Sequence, residues 1–293
     1  MKTINTYIRK IAITTVLVPA MCSAAYSQGT DSRMKFTKEE KIFAGIIITP
    51  QTTGISNGNF VSTVPLRQNN GMSMNLALEG GYFFSKMVGI SIGAGMGSYS
   101  SEQVLDSCSI KFNATDSDLE SYEMRIKGKS ITEIQKLSFL SIPVCIIMKM
   151  RAGDKLGFFI RAGLSFDIPM TKTWEASGVF TYDGYYAAYP VLLHNIPGYF
   201  PANMNTSSEG TLEVKSFSQT IIASGGAFIR LNESVHISLG ATFNRSLGSI
   251  SAYSTDSYRL TSEPGQLNSI MGGAENAGVT GLGVSLGLRY YLR

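Results

Sequence analysis

Two histidines, His194 and His236, limit the catalytic chemistry open to this 293-residue chain. A lipid-modifying hydrolase sets a histidine beside its nucleophile. His236 follows the Asn232-Glu233 turn signal closely, where a hydrogen-bonding role at a strand end suits it, and His194 has no acidic neighbour in sequence. No spacing of His, Cys, Asp or Glu matches a metal site. Gly93-x-Gly95-x-Gly97 alternates as strand glycine and does not open a helix as a phosphate loop would. These residues imply no enzyme and no cofactor.

Two other sets carry chemistry. Glu79, Arg161 and Arg289 sit at similar heights above tight turns, on the polar faces of their segments. That spacing predicts an ion-paired layer in which one carboxylate neutralises part of two guanidiniums. Asp167 and Arg230 extend this into a polar lumen network. The second set is aromatic: Trp174, Tyr182, Tyr185, Tyr186 and Tyr189, followed by His194, Tyr199 and Phe200. Tyr and Trp dominate binding interfaces, so this stretch is a candidate surface for a protein or glycan partner. The competing reading is that the rings cap the fold and pack on neighbouring loops. Asp106, Asp116, Asp118, Glu120 and Glu123 lie in another long connection, where divalent ions or solvent would face them.

The elements that must hold these residues alternate with period two, as strand side chains do. In Val279–Arg293, Leu282, Val284, Leu286, Leu288, Tyr290 and Leu292 share one face, and Gly281, Gly283, Ser285, Gly287 and Arg289 the other. Eight such strands are predicted: Lys41–Pro50, Met72–Phe84, Met87–Tyr99, Lys136–Met150, Lys155–Asp167, Val214–Leu231, Ser234–Asn244 and Val279–Arg293. Short turns (Ser85-Lys86, Arg151–Asp154, Asn232-Glu233) alternate with long connections (Gln51–Gly71, Ser100–Gln135, Ile168–Glu213, Arg245–Gly278). Outer-membrane barrels have short periplasmic turns and long extracellular loops. Burying unpaired charges in a dry core costs several kcal/mol each, so the charged face is expected to line the lumen and the apolar face to meet lipid. An eight-stranded lumen is just wide enough for side chains to fill it. The expectation is an all-β, eight-stranded antiparallel transmembrane barrel with a plugged polar interior.

Residues 1–27 read as a secretory signal, with Lys2, Arg9 and Lys10 before a short apolar stretch and Ala25-Tyr26-Ser27 as the cleavage site. The formal net charge of +4 comes mostly from those three cations, and without a basic excess the chain does not fit a nucleic-acid binder. Bulky Met21 argues against lipidation at Cys22. Residues 28–40 read as a short periplasmic tail and 41–293 as the barrel. Cys108 and Cys145 are expected to remain unpaired, since nothing brings them within the 7 Å or so a disulfide needs.

The last strand resembles the C-terminal assembly signal of outer-membrane barrels, through Ser285, Gly287, Tyr290 and Leu292, departing from it with Leu292 in an aromatic's place and Arg293 behind. Residues 40–293 also resemble the PorT-like outer-membrane β-barrel family, whose aromatic-Leu-x-Ile-Pro stretch is matched by Phe139, Leu140, Ile142 and Pro143. The resemblance implies the Gram-negative outer membrane as location, with membrane lipid and the barrel-insertion machinery as partners, and in some relatives a role in secretion or gliding. The function expected is a non-catalytic barrel acting through its loops as a scaffold, interaction or secretion-assembly component. A narrow porin-like solute channel is the alternative, and an outer-membrane lipid hydrolase a third.

Overall fold

The computed structural model describes residues 41–57, 66–253, 258–274 and 276–292. The expected signal and tail segments lie outside them. Among the described residues ten strands run in chain order: β1 (Ile42–Ser56), β2 (Leu66–Phe83), β3 (Val88–Thr115), β4 (Ser121–Arg151), β5 (Leu156–Tyr186), β6 (Val191–His194), β7 (Met204–Thr211), β8 (Ser218–Arg230), β9 (Val235–Ser246) and β10 (Gly278–Leu292). A short 3-10 turn spans Ile270–Gly273. No helix among the described residues is long and apolar enough to cross a membrane.

Eight strands close into a ring, β1-β2-β3-β4-β5-β8-β9-β10 and back to β1. Every neighbour pair is antiparallel, and closure runs from Ile42↔Leu292 to Ser56↔Gly278. The outward faces of the lower ring are apolar and exposed: Ile42, Ile46 and Ile48 on β1, Leu140, Ile142, Ile146 and Met148 on β4, Leu282, Val284, Leu286 and Leu288 on β10. Each such stretch approaches the nine to eleven residues or so that a tilted strand needs to cross a bilayer. The belt ends at one level, where Asn70, Ser98, Ser138, Gln219, Arg245 and Thr280 follow as outward residues.

Two expected loops are mostly strand. Ser100–Gln135 continues β3 and β4 into a long hairpin, paired from Ser100↔Lys136 to Thr115↔Ser121. Within Ile168–Glu213, β5 runs on to Tyr186, and β7 and then β6 pair with it above the place where β8 leaves. The sixth ring strand begins at Ser218 and not at Val214. The cause lies in β-bulges, which insert a residue and re-aim side chains. At the Ser138/Phe139 irregularity opposite Pro169, the inward register of β5 changes from odd residues (Phe159, Arg161, Ser165, Asp167) to even ones (Trp174, Ala176, Phe180, Tyr182). A second irregularity, between Lys129 and Thr132, does the same higher up β4. A one-residue slip turns every later side chain to the other face.

Candidate functional site

At the short-turn end, Phe43, Phe83, Ile147 and Tyr291 form a buried apolar layer across the ring. Phe43 lies 5.6 Å from Phe83 and 5.7 Å from Tyr291 by ring centroids. Glycines make room for this: a Cβ at Gly81 would meet the Phe43 ring at 2.3 Å, and one at Gly157 the Phe228 ring at 2.3 Å. Buried Lys149 places its Nζ over the rings of Phe83 and Tyr291, at 4.1 and 4.5 Å. Such cation–π contacts stabilise a desolvated ammonium by about 2 kcal/mol. His236 stacks on Phe228 at 5.4 Å and meets Tyr291 at 4.4 Å, which gives it a packing role in this layer.

Directly above lies the charged layer. Arg289 Nε donates to Glu79 Oε1 at 2.6 Å, and Arg161 Nη2 stands 3.6 Å from Glu79 Oε2, an ion-pair separation too long for a hydrogen bond. All three residues are buried. β2, β5 and β10 bring them together because Glu79, Arg161 and Arg289 sit at matched heights on inward faces. The other two residues of the expected network stand apart from them. Asp167 accepts from Ser165 Oγ and Thr220 Oγ1, both at 2.6 Å, higher in the lumen. Arg230 lies at the short-turn rim, where its Nη1 reaches the Asp154 carbonyl at 3.5 Å. Between these levels is a cavity of about 70 Å³ lined by Asn75, Asp167, Thr242 and Asn244 among others. Asn75 Oδ1, Thr242 Oγ1 and Asn244 Oδ1 have no protein partner among the described residues, a polar lining suited to a few waters.

Above the belt the interior turns apolar. Ile55, Leu105, Ile126, Ile131, Trp174, Phe180, Tyr182, Leu212, Ile270 and Met271 belong to one buried cluster. This cap has the anatomy of a soluble domain, apolar inside and polar outside. The β9–β10 connection folds into it. Tyr182 donates to the Glu263 carbonyl at 3.2 Å and Tyr258 to the Ser269 carbonyl at 2.8 Å. Glu133, fully buried, receives the Ile270 N–H at 2.5 Å, Ser269 Oγ at 2.8 Å and Gln135 Nε2 at 2.6 Å. Burial raises the Glu133 carboxyl above the usual carboxylate range, and these three donors oppose the rise. Glu133 was missed in the sequence because it alternates with exposed Ile134, a polarity opposite to that of the rest of the cap.

The aromatic stretch divides. Trp174 and Tyr182 face the cap core, Tyr185 and Tyr186 are half-buried, and Tyr189 is exposed. Tyr122 stacks on Tyr186 at 5.2 Å and meets Phe200 edge-on at 5.7 Å. Tyr186 donates to Asp116 Oδ2 at 2.9 Å and Tyr189 to Glu120 Oε1 at 3.0 Å. Burial first, then the bond to Asp116, pushes Tyr186 up to about 12. Backbone N–H donation from Glu120, with the Tyr186 bond second, holds Asp116 below its ordinary range. The acidic residues of the β3–β4 turn thus hold tyrosines. Exposed Leu119, Tyr189, Val191, Leu192 and Tyr199 complete the tip. His194 lies in β6, where the register sets it opposite Asp183, far up the cap from the apolar belt.

Spanning structures in lipid must satisfy every backbone group internally, which leaves helices and closed barrels. A closed antiparallel ring with an apolar belt outside, charges inside and short turns at one end is an integral outer-membrane β-barrel. The chain is similar to Neisserial surface protein A (12% identity over 86% of this chain and 97% of that one, TM-score 0.36). It is also similar to Ail, the attachment invasion locus protein of Yersinia pestis (10% identity, 85% and 99%, TM-score 0.32), and to OprG of Pseudomonas aeruginosa (11% identity, 86% and 96%, TM-score 0.37). At such scores these likenesses say nothing about activity. No family model and no curated protein matches the chain.

Proposed function

We propose that this protein is a non-conducting, non-catalytic outer-membrane barrel whose working part is the extracellular cap, serving as a scaffold, interaction or secretion-assembly component. The observation that carries this reading is the succession of barriers along the barrel axis: the Phe43–Phe83–Tyr291 layer, the Glu79–Arg161–Arg289 layer, then the cap core. A solute would have to displace all three. Residues 1–27 would direct export, and the PorT-like resemblance of Phe139–Pro143 fits a role beside a secretion assembly. Partners would meet the tip through Leu119, Tyr189 and Tyr199, since Trp174 and Tyr182 are committed to the core.

The second reading, a narrow channel, draws on the polar cavity of about 70 Å³. Planar-bilayer recording separates the two. Silence supports the closed scaffold; stable single-channel steps from the full chain refute it. The interaction role is tested by affinity capture with Leu119→Ser, Tyr189→Ser and Tyr199→Ser combined, and identical partner sets for this variant and the parent refute it. Deleting Trp174 to Pro201 is unsuitable, because it removes the upper half of β5 and with it the cap core.

A further inference from the structure

We propose that the outer face of the β3–β4 hairpin binds an anionic polysaccharide through Lys111, Lys127 and Lys129. This deepens the reading of the cap as the working part and rests on it for the exposure of that face to the medium. The register fixes the arrangement: Ser107 stands opposite Lys129, Ser109 opposite Lys127 and Lys111 opposite Arg125. All three lysines are exposed, and none has an ion pair among the described residues. Arg125 is already engaged, pairing with Glu123 and lying 4.2 Å over the Tyr185 ring. Two other acids stand at this level: Asp183, buried opposite Arg125, and Asp106, which precedes Ser107 at the foot of the row and is paired with Arg67.

Three physical points make this face a site. Like charges directly opposite across strands are destabilising, so the Lys111–Arg125 pair is a cost to the fold. Lys127 and Lys129 are two residues apart on one strand, about 7 Å along it, and so present charge in a row. Hydroxyls accompany the row, since Ser107 and Ser109 flank it on β3 and Thr181 lies opposite Lys127 on β5. A row of cations interleaved with hydroxyls matches a chain bearing sulfate or phosphate groups among sugar hydroxyls.

Height selects the source of the anion. Lys129 is well beyond Ser138, where the belt ends; at about 3.3 Å per residue and about 45° of tilt it stands roughly 20 Å above the lipid boundary. Screening at physiological salt acts over about 8 Å. A headgroup phosphate is therefore out of reach, and a polysaccharide chain is not.

The test uses the full chain in detergent micelles, with retention measured on dextran sulfate, neutral dextran, phosphatidylglycerol vesicles and duplex DNA. Binding to dextran sulfate that weakens with salt and exceeds binding to the other three is expected. Exposed ion pairs are individually weak, so affinity falls about threefold for each Lys→Gln change and about thirtyfold for Lys111→Gln, Lys127→Gln and Lys129→Gln together. The triple Lys→Arg variant retains binding, and Lys155→Gln with Lys215→Gln leaves it unchanged. Unaltered Trp174 fluorescence confirms an intact cap in each variant. Equal affinity of parent and triple Gln variant overturns the proposal, as does preference for vesicles or for DNA. Loss of partner capture through Leu119, Tyr189 and Tyr199 is read separately, so failure of the glycan site and failure of the interaction role are distinguishable.

Discussion

β3, β4 and β5 each pass through two environments, and the same alternation means opposite things in them. In the belt, Ile142, Ile146 and Met148 face out while Cys145, Ile147 and Lys149 face in. In the cap, Lys127 and Lys129 face out while Ile126 and Ile131 face in. Alternation states only that two faces differ. What surrounds the strand, hydrocarbon or water, decides which face is outside. The cap gains stability from dehydrating apolar area. The belt's interior has that drive only in the thin Phe43–Phe83–Ile147–Tyr291 layer and otherwise relies on paired charges.

Two probes can separate the regions. Trp174, the only tryptophan, reports on the cap, and heat-dependent gel mobility reports on the barrel. The largest effect is expected from Phe180→Ala in the cap core, which should cost about 4 kcal/mol, moving the Trp174 unfolding midpoint while the gel shift stays. If both move together, cap and barrel unfold as one and the distinction fails. Glu79→Gln should do the reverse. It leaves two buried guanidiniums without their carboxylate, at a cost of about 3 kcal/mol, and should lower the gel-shift temperature alone. An unchanged temperature would mean that the charges are hydrated independently. Leu286→Lys on the lipid face should destabilise the barrel by about 2 kcal/mol, whereas Ser177→Lys on the outer cap should be neutral; equal effects would place both in one solvent.

The smallest effect concerns pH. Burial raises the Glu133 carboxyl, so folding favours its protonated form. Its contribution is then fully present below the unfolded value of about 4.3 and is lost as pH rises through the folded one. The cap should therefore be less stable as pH rises above that unfolded value, and Glu133→Gln should flatten the slope. A slope unchanged in the variant would assign it to other groups.

The belt was legible in the sequence because Leu282 to Leu292 and its counterparts keep one parity from end to end. So were the matched heights of Glu79, Arg161 and Arg289, since tight turns fix the count from the rim. The cap was not. Counted from Asp167, Trp174 falls on the wrong parity, and only the irregularity near Pro169 turns it inward. Polar outward residues such as Ser107, Ser109 and Lys127 also make a water-facing strand read like a loop. Glu133 carries no local signal, because its donors Ser269 and Ile270 are more than a hundred residues away in sequence.

The pairing of β1 with β10 sets an order of events. Until the final strand docks against Ile42–Ser56, both carry a full row of unsatisfied amides and carbonyls, which hydrocarbon does not tolerate. A nascent chain in which β10 has not yet emerged is thus an open sheet with two sticky borders. Sealing the cylinder consequently waits for β10, and until then the two borders need a chaperone or an assembly machine to shield them.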